Sequence, residues 1–142
     1  MSIFFNGPKL YTEIECGILQ SIINDNNVKN ILEIGTFNGY ATVHLAQASE
    51  HVVSIREAQT LVPSAEENLK LNEVRNTELI ETDNITEFIH SDEMKDILST
   101  NSFDMILIDV MQNNPEQIYN AVKKQSKLII FHDAQCEETD EM

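Results

Sequence analysis

Short apolar runs rich in β-branched residues alternate along this chain with longer stretches in which apolar residues recur every third or fourth position. The first pattern predicts buried strands and the second amphipathic helices. The runs fall at residues 28–34, 51–55, 78–81, 103–109 and 127–131. Ahead of the first, Thr12 and Glu15 have the spacing of a capping box. Ile14, Ile18, Leu19, Ile22 and Ile23 predict one buried helical stripe, ended by Asn24-Asp25-Asn26-Asn27. Further helices are predicted over 40–48, with Ala41, Val43, Leu45 and Ala46 inward; after Pro63, with Ala65, Leu69 and Leu71; over 85–98; and from Pro115 through Lys124. Strand and helix repeating at this spacing predict an α/β fold, a three-layer αβα sandwich around a mainly parallel sheet with right-handed crossovers. The run at 103–109 is apolar enough to be a central strand.

At 142 residues the chain fits one domain, residues 1–136, followed by the acidic tail Glu137-Glu138-Thr139-Asp140-Glu141-Met142. Residues 1–10, with a Gly7-Pro8 turn, read as a mobile lead-in. Nine basic and 24 acidic residues give a formal charge of −15. Such a surface repels the phosphate backbone, which argues against nucleic acid as a partner. No run approaches the roughly 18 apolar residues of a membrane span, and the first residues lack the basic start and apolar core of a signal peptide. The expectation is a cytoplasmic protein without a membrane partner. Cys16 and Cys136 lie outside any CxxC or Cys/His cluster, so neither a disulfide framework nor a zinc site is indicated. Cys16 reads as a small core residue on a helix.

The strongest chemical signal is the stretch from Ile31 to Tyr40. A buried strand ends at Gly35 and Gly39, four residues apart, and a helix follows. Strand, glycine turn and helix let a backbone pass close to a ligand, because glycine removes the Cβ atoms in the way and the helix start offers free N–H groups. Two glycines also suit an ordinary tight turn. In open α/β sheets ligands bind beyond the carboxyl ends of the strands. There this chain places Glu33 to Tyr40, Arg56-Glu57, Asp83-Asn84, Asp109-Val110 and His132-Asp133.

Glu33-x-Gly35-x-x-x-Gly39 resembles the first motif of the class I S-adenosylmethionine-dependent methyltransferases. The run from Glu33 to Tyr40 is most similar to that of the small-molecule O-methyltransferases related to the catechol and caffeoyl-CoA enzymes. The resemblance extends over about residues 10–134 and implies a Rossmann-like domain. It implies S-adenosylmethionine as cofactor, held by Glu33, Gly35, Thr36, Phe37, Gly39, Tyr40, Glu57, Asp83, Asn84 and Asp109, and methyl transfer to a small-molecule substrate. By the same resemblance Asp83 would lie near the adenine amino group, Asp109 near the methionine portion or a metal, and Asp133 in the region of a metal-binding pair. Asp83 could instead be a loop carboxylate capping a helix. Mg²⁺ wants several oxygen ligands, and Asp109 with Asp133 could supply two. Asp109 and His132 are the catalytic candidates. His132, with an ordinary pKa of about 6.5, suits a general base, or else is a histidine ending a strand and bonding to backbone. His44, His51 and His90 read as structural or solvated.

Two departures stand out. Relatives end the second strand with an acid that grips both ribose hydroxyls, and here Arg56 occupies that place. Arginine has only donors. Adjacent Glu57 could substitute if the strand ended early or bulged, since neighbouring strand side chains face opposite ways. After the fourth strand the relatives' catalytic lysine is absent from Asp109-Val110-Met111-Gln112. The alternative function is therefore a non-catalytic or degenerate domain used for binding or assembly. The resemblance also implies seven strands, of which about five are present. The fifth would then be an exposed edge, for which a homodimer is the simplest cover and a chain cut short the rival explanation.

Overall fold

The computed structural model describes residues 11–58, 64–110 and 115–132. The expectations for residues 1–10, Pro63, Met111, Gln112, Asp133, Cys136 and the acidic tail fall outside them. In chain order the elements are α1 (Glu13–Asp25), β1 (Asn30–Ile34), α2 (Tyr40–Ala48), β2 (His51–Glu57), α3 (Ala65–Leu71), β3 (Thr77–Thr82), α4 (Ile85–Phe88), α5 (Asp92–Thr100), β4 (Met105–Ile108), α6 (Pro115–Val122) and β5 (Ile129–Phe131). The strands form one parallel sheet ordered β3-β2-β1-β4-β5. The order reverses between β1 and β4, the point at which crossovers diverge to opposite faces and leave a crevice.

Alternation along each strand splits the apolar residues between two cores. Ile31, Val52, Met105 and Leu107 face α1 and α2, meeting Cys16, Leu19, Ile23, Tyr40 and Leu45. Leu32, Ile34, Val53, Ile55, Ile106 and Ile108 face the other way, onto Phe88, Met94, Ile118 and Val122 of α4, α5 and α6. The three-layer sandwich is as predicted. Among the described residues no helix is long and apolar enough to cross a membrane.

Helix ends follow local chemistry. Thr12 and Glu15 form the expected capping box, Thr12 Oγ1 accepting from the Glu15 N–H at 3.0 Å and Glu15 Oε1 from the Thr12 N–H at 2.7 Å. Three expectations are corrected. The helical stripe of α1 is Cys16, Leu19 and Ile23, whereas Ile14 and Ile18 are 75% and 53% exposed. At about 100° per residue the predicted set spans roughly half the helix circumference, too wide for one flat sheet to cover. Residues 85–98 form two helices: Ser91 Oγ accepts from the Met94 N–H and donates to the Phe88 carbonyl, ending α4 and starting α5. Leu71 is exposed, leaving Ala65 and Leu69 as the buried side of α3.

Candidate active site

The turn after β1 is shaped by contacts within the chain. Gly35 has φ +111°, and a Cβ there would lie 1.7 Å from the Asp109 carbonyl oxygen at the end of β4. Its missing side chain thus lets two strand ends close together. Gly39, at φ +87°, caps α2 in a left-handed conformation without a side-chain bond, and its Cβ would touch Ala65. Phe37 is also left-handed, at φ 53°. A bond from the Gly39 N–H to the Thr36 carbonyl and one from Asn68 Nδ2 to the Asn38 carbonyl, both 3.0 Å, hold the loop. The first amides of α2 therefore have no side-chain cap.

Beneath the loop Glu33 is fully buried. Its Oε1 accepts from Thr42 Oγ1 of α2 and from Ser54 Oγ of β2, the latter at 2.6 Å, and Ser54 in turn bonds Thr36. Oε2 has no hydrogen-bond partner among the described residues. Burial, opposed by the Ser54 and Thr42 bonds and reinforced by Asp109, pushes its pKa up to about 8. Near neutral pH this acid is mostly protonated. Tyr40 points elsewhere: it stacks edge-on to His44 and packs with Cys16 in the core against α1. Sequence reasoning missed Thr42 and Ser54, although a serine inside the apolar run Val52-Val53-Ser54-Ile55 signals a buried polar partner.

On the β2 side the strand continues regularly through Glu57, in register Arg56↔Glu81 and Glu57↔Thr82. There is no early end or bulge there, so Arg56 and Glu57 face opposite sides. Arg56 makes two bonds to Glu66 of α3 and one of 2.9 Å to Glu81. It is a structural tie between α3, β2 and β3. The condition under which Glu57 would replace the ribose acid is thus not met, and its carboxylate caps the next helix instead, Oε2 accepting from the Ile85 N–H at 2.9 Å. The helix cap expected of Asp83 belongs to Asn84, whose Oδ1 accepts from the Glu87 N–H, while Asp83 is exposed at the rim.

On the other side Asp109 and His132 do come together. His132 Nε2 bonds Glu15 Oε2 at 2.8 Å, and Nδ1 lies 3.3 Å from Asp109 Oδ2, within ion-pair range though off a good hydrogen-bond axis. Tyr11 stacks on the imidazole with centroids 3.8 Å apart. Burial would lower the His132 pKa, but the adjacent Asp109 carboxylate, joined by Glu15, outweighs it and the net shift is upward. Desolvation works against ionised Glu15, yet its Thr12 bonds and His132 hold its pKa below the usual value. The Tyr11 hydroxyl is buried near Asp109, and both burial and that charge raise its pKa. His132 is therefore held between two acids whose charges favour its protonated form. Its partners are side chains, as against the backbone bonding considered from sequence. Tyr11 and Glu15 went unnoticed because they lie more than a hundred residues from His132 in the chain. Among the described residues no group of three or more His, Cys, Asp or Glu is placed to hold a metal. The proposed metal pair involves Asp133, outside those residues.

Beyond His132 a cavity of about 360 Å³ is lined by Ile108, Val110, Pro115, Tyr119 and Phe131. At the carboxyl ends of the strands Asp83 is exposed and Glu57 half-buried, Glu33 and Asp109 are buried, and the nearby cations Arg56 and His132 are already paired. Acids at the strand ends fit a ligand with positive charge, such as a sulfonium amino acid. The ribose-gripping acid is not in its usual place.

Parallel order, glycine turn and strand-end acids define the class I S-adenosylmethionine-dependent methyltransferase superfamily, and comparison with known proteins agrees. Residues 15–137 match the family described as protein-L-isoaspartate(D-aspartate) O-methyltransferase (PCMT). The chain belongs to that family. It is 26% identical over 118 residues to a protein-L-isoaspartate O-methyltransferase of Idiomarina loihiensis, covering 80% of this chain and 51% of that one. Among solved structures, one from Staphylococcus aureus carrying the assignment caffeoyl-CoA O-methyltransferase superposes with TM-score 0.72 and 28% identity, over 85% of this chain and 57% of that one. An O-methyltransferase of Bacillus cereus, solved with S-adenosylhomocysteine, shares the fold at TM-score 0.70 and 22% identity, over 85% and 56% of the two chains. The chain spans about half the length of these relatives.

Proposed function

We propose that this chain binds S-adenosylmethionine at the carboxyl ends of β1, β2 and β4 and transfers its methyl group to an oxygen of a small molecule. The observation that carries the reading is the reversal of strand order between β1 and β4, where the glycine turn after β1 closes onto Asp109 above the buried Glu33. The cofactor would supply an electrophilic methyl on a sulfonium sulfur. The chain would hold it through the amides at the start of α2, through Asp109 towards the amino acid portion, and through Asp83 towards the nucleoside. Methyl transfer from a sulfonium needs alignment and dryness more than proton chemistry. His132, clasped by Glu15 and Asp109, would set the wall between cofactor and acceptor. A cavity of about 360 Å³ beside it suits a small acceptor.

Calorimetry with S-adenosylmethionine and S-adenosylhomocysteine tests the cofactor, and methyl transfer from labelled cofactor to phenolic small molecules and to isoaspartyl peptides tests the acceptor. Saturable micromolar binding weakened by Asp83→Ala supports the proposal. No heat with either ligand refutes it.

A further inference from the structure

The turn from Thr36 to Gly39 holds a costly conformation. The bond from the Gly39 N–H to the Thr36 carbonyl closes it, which makes Phe37 and Asn38 its two central residues. Phe37, the first of them, has φ 53°. Positive φ at that position favours glycine or asparagine, because a Cβ with a bulky side chain crowds the following carbonyl there. Such a residue stays left-handed only where its surroundings over-determine the backbone.

Two polar ties do so, one on each side of Phe37. After it, Asn68 of α3 donates to the Asn38 carbonyl. Before it, the Thr36 hydroxyl meets Ser54 in the middle of β2. A serine hydroxyl has one proton, and that of Ser54 goes to Glu33 Oε1 at 2.6 Å, so towards Thr36 it can only accept. The Thr36 proton therefore points inward. Glu33, held also by Thr42 of α2, is the fixed end of this relay. Thr36, Ser54 and Glu33 are all buried, and among residues 35–39 Phe37 alone is not. The cofactor contact that the resemblance implied for the Thr36 side chain is thus replaced by a bond within the chain.

We infer that Ser54 is a positioning residue for the cofactor: through Thr36 it holds the turn before α2 in its ligand-binding shape. The inference rests on the S-adenosylmethionine reading proposed above. A turn released at Thr36 populates that shape only part of the time, and the apparent affinity falls with the populated fraction.

The test is titration calorimetry of the full chain with S-adenosylhomocysteine, well below the melting temperature of each variant. Ser54→Ala removes the acceptor for Thr36, and Thr36→Val keeps the branched shape while removing the donor and sparing Glu33. Each is expected to weaken binding about tenfold, and the double variant no more than either alone, since both break one bond. In a Phe37→Asn background, where left-handed backbone costs less, Thr36→Val is expected to lose at most about threefold. That cycle reads the same tie without Ser54→Ala, should that variant not fold. A residue that only stabilised the fold would lower the melting temperature and leave the affinity below it unchanged. If the wild type binds, then wild-type affinity in Ser54→Ala, additive losses in the double variant, or an undiminished Thr36→Val loss in the Phe37→Asn background overturns the inference alone. No heat from the wild type overturns the proposed function and this inference with it.

Discussion

Replacing Glu33 by glutamine should change how stability depends on pH. The ordinary glutamate pKa of 4.5 is moved up to about 8 in the folded chain, chiefly by complete burial. Between those values the native state binds a proton that the unfolded state has released, so stability falls as pH rises. The slope approaches about 1.4 kcal/mol per pH unit, and Glu33 alone should cost roughly 3–4 kcal/mol between about pH 5 and pH 8. Other groups contribute to the same curve, so the informative quantity is the difference between wild type and Glu33→Gln. The amide keeps an oxygen for the Thr42 and Ser54 hydroxyls and cannot ionise. The variant should be equal to or slightly less stable than wild type near pH 5 and clearly more stable near pH 8, with the difference levelling above the folded pKa. Urea denaturation followed by far-UV circular dichroism reads this directly, and suits a chain without tryptophan. If the stability difference stays flat across that range, Glu33 is ionised or solvated in the folded protein and the reasoning about the floor of the crevice fails.

Gly35→Val should abolish folding, because both the φ of +111° and the Asp109 carbonyl 1.7 Å from a Cβ forbid it; a soluble variant with wild-type melting would contradict the close approach of β1 and β4. Asp83→Ala should weaken S-adenosylmethionine binding by about 1.5–3 kcal/mol if its carboxylate accepts hydrogen bonds from the nucleoside, and unchanged calorimetric affinity would remove it from the site. Arg56→Met should lower stability by only about 1 kcal/mol, since its partners are half exposed, and leave cofactor affinity alone. For His132 the folded pKa is raised, so its contribution is complete below the unfolded value and is lost as pH rises through the folded one. Glu15→Gln should shift the histidine's NMR titration to lower pH, and an unmoved titration would dissolve the clasp.

Much of the fold was legible because its signals are local. Period-two and period-3.6 spacing marked the strands and helices, and the Thr12–Glu15 box caps α1 as read. The break at Ser91 was missed because its cap competes with an apolar pattern that continues past it. The candidate site residues were legible only as positions after strands, since a parallel sheet gathers its carboxyl ends on one side. Their partners were not.

What the chain's own text determined, then, is the order of elements, the glycine turn and the acids at the strand ends, all set by neighbours a few residues apart. Tertiary structure decided that Gly35 makes room for the Asp109 backbone, that Glu33 is floored by Thr42 and Ser54, that Arg56 serves α3 and β3, and that Glu15 meets His132 across 117 residues. These depend on strand register and helix rotation, which only the packed sheet fixes, because a turn of one residue sends every side chain to the opposite face.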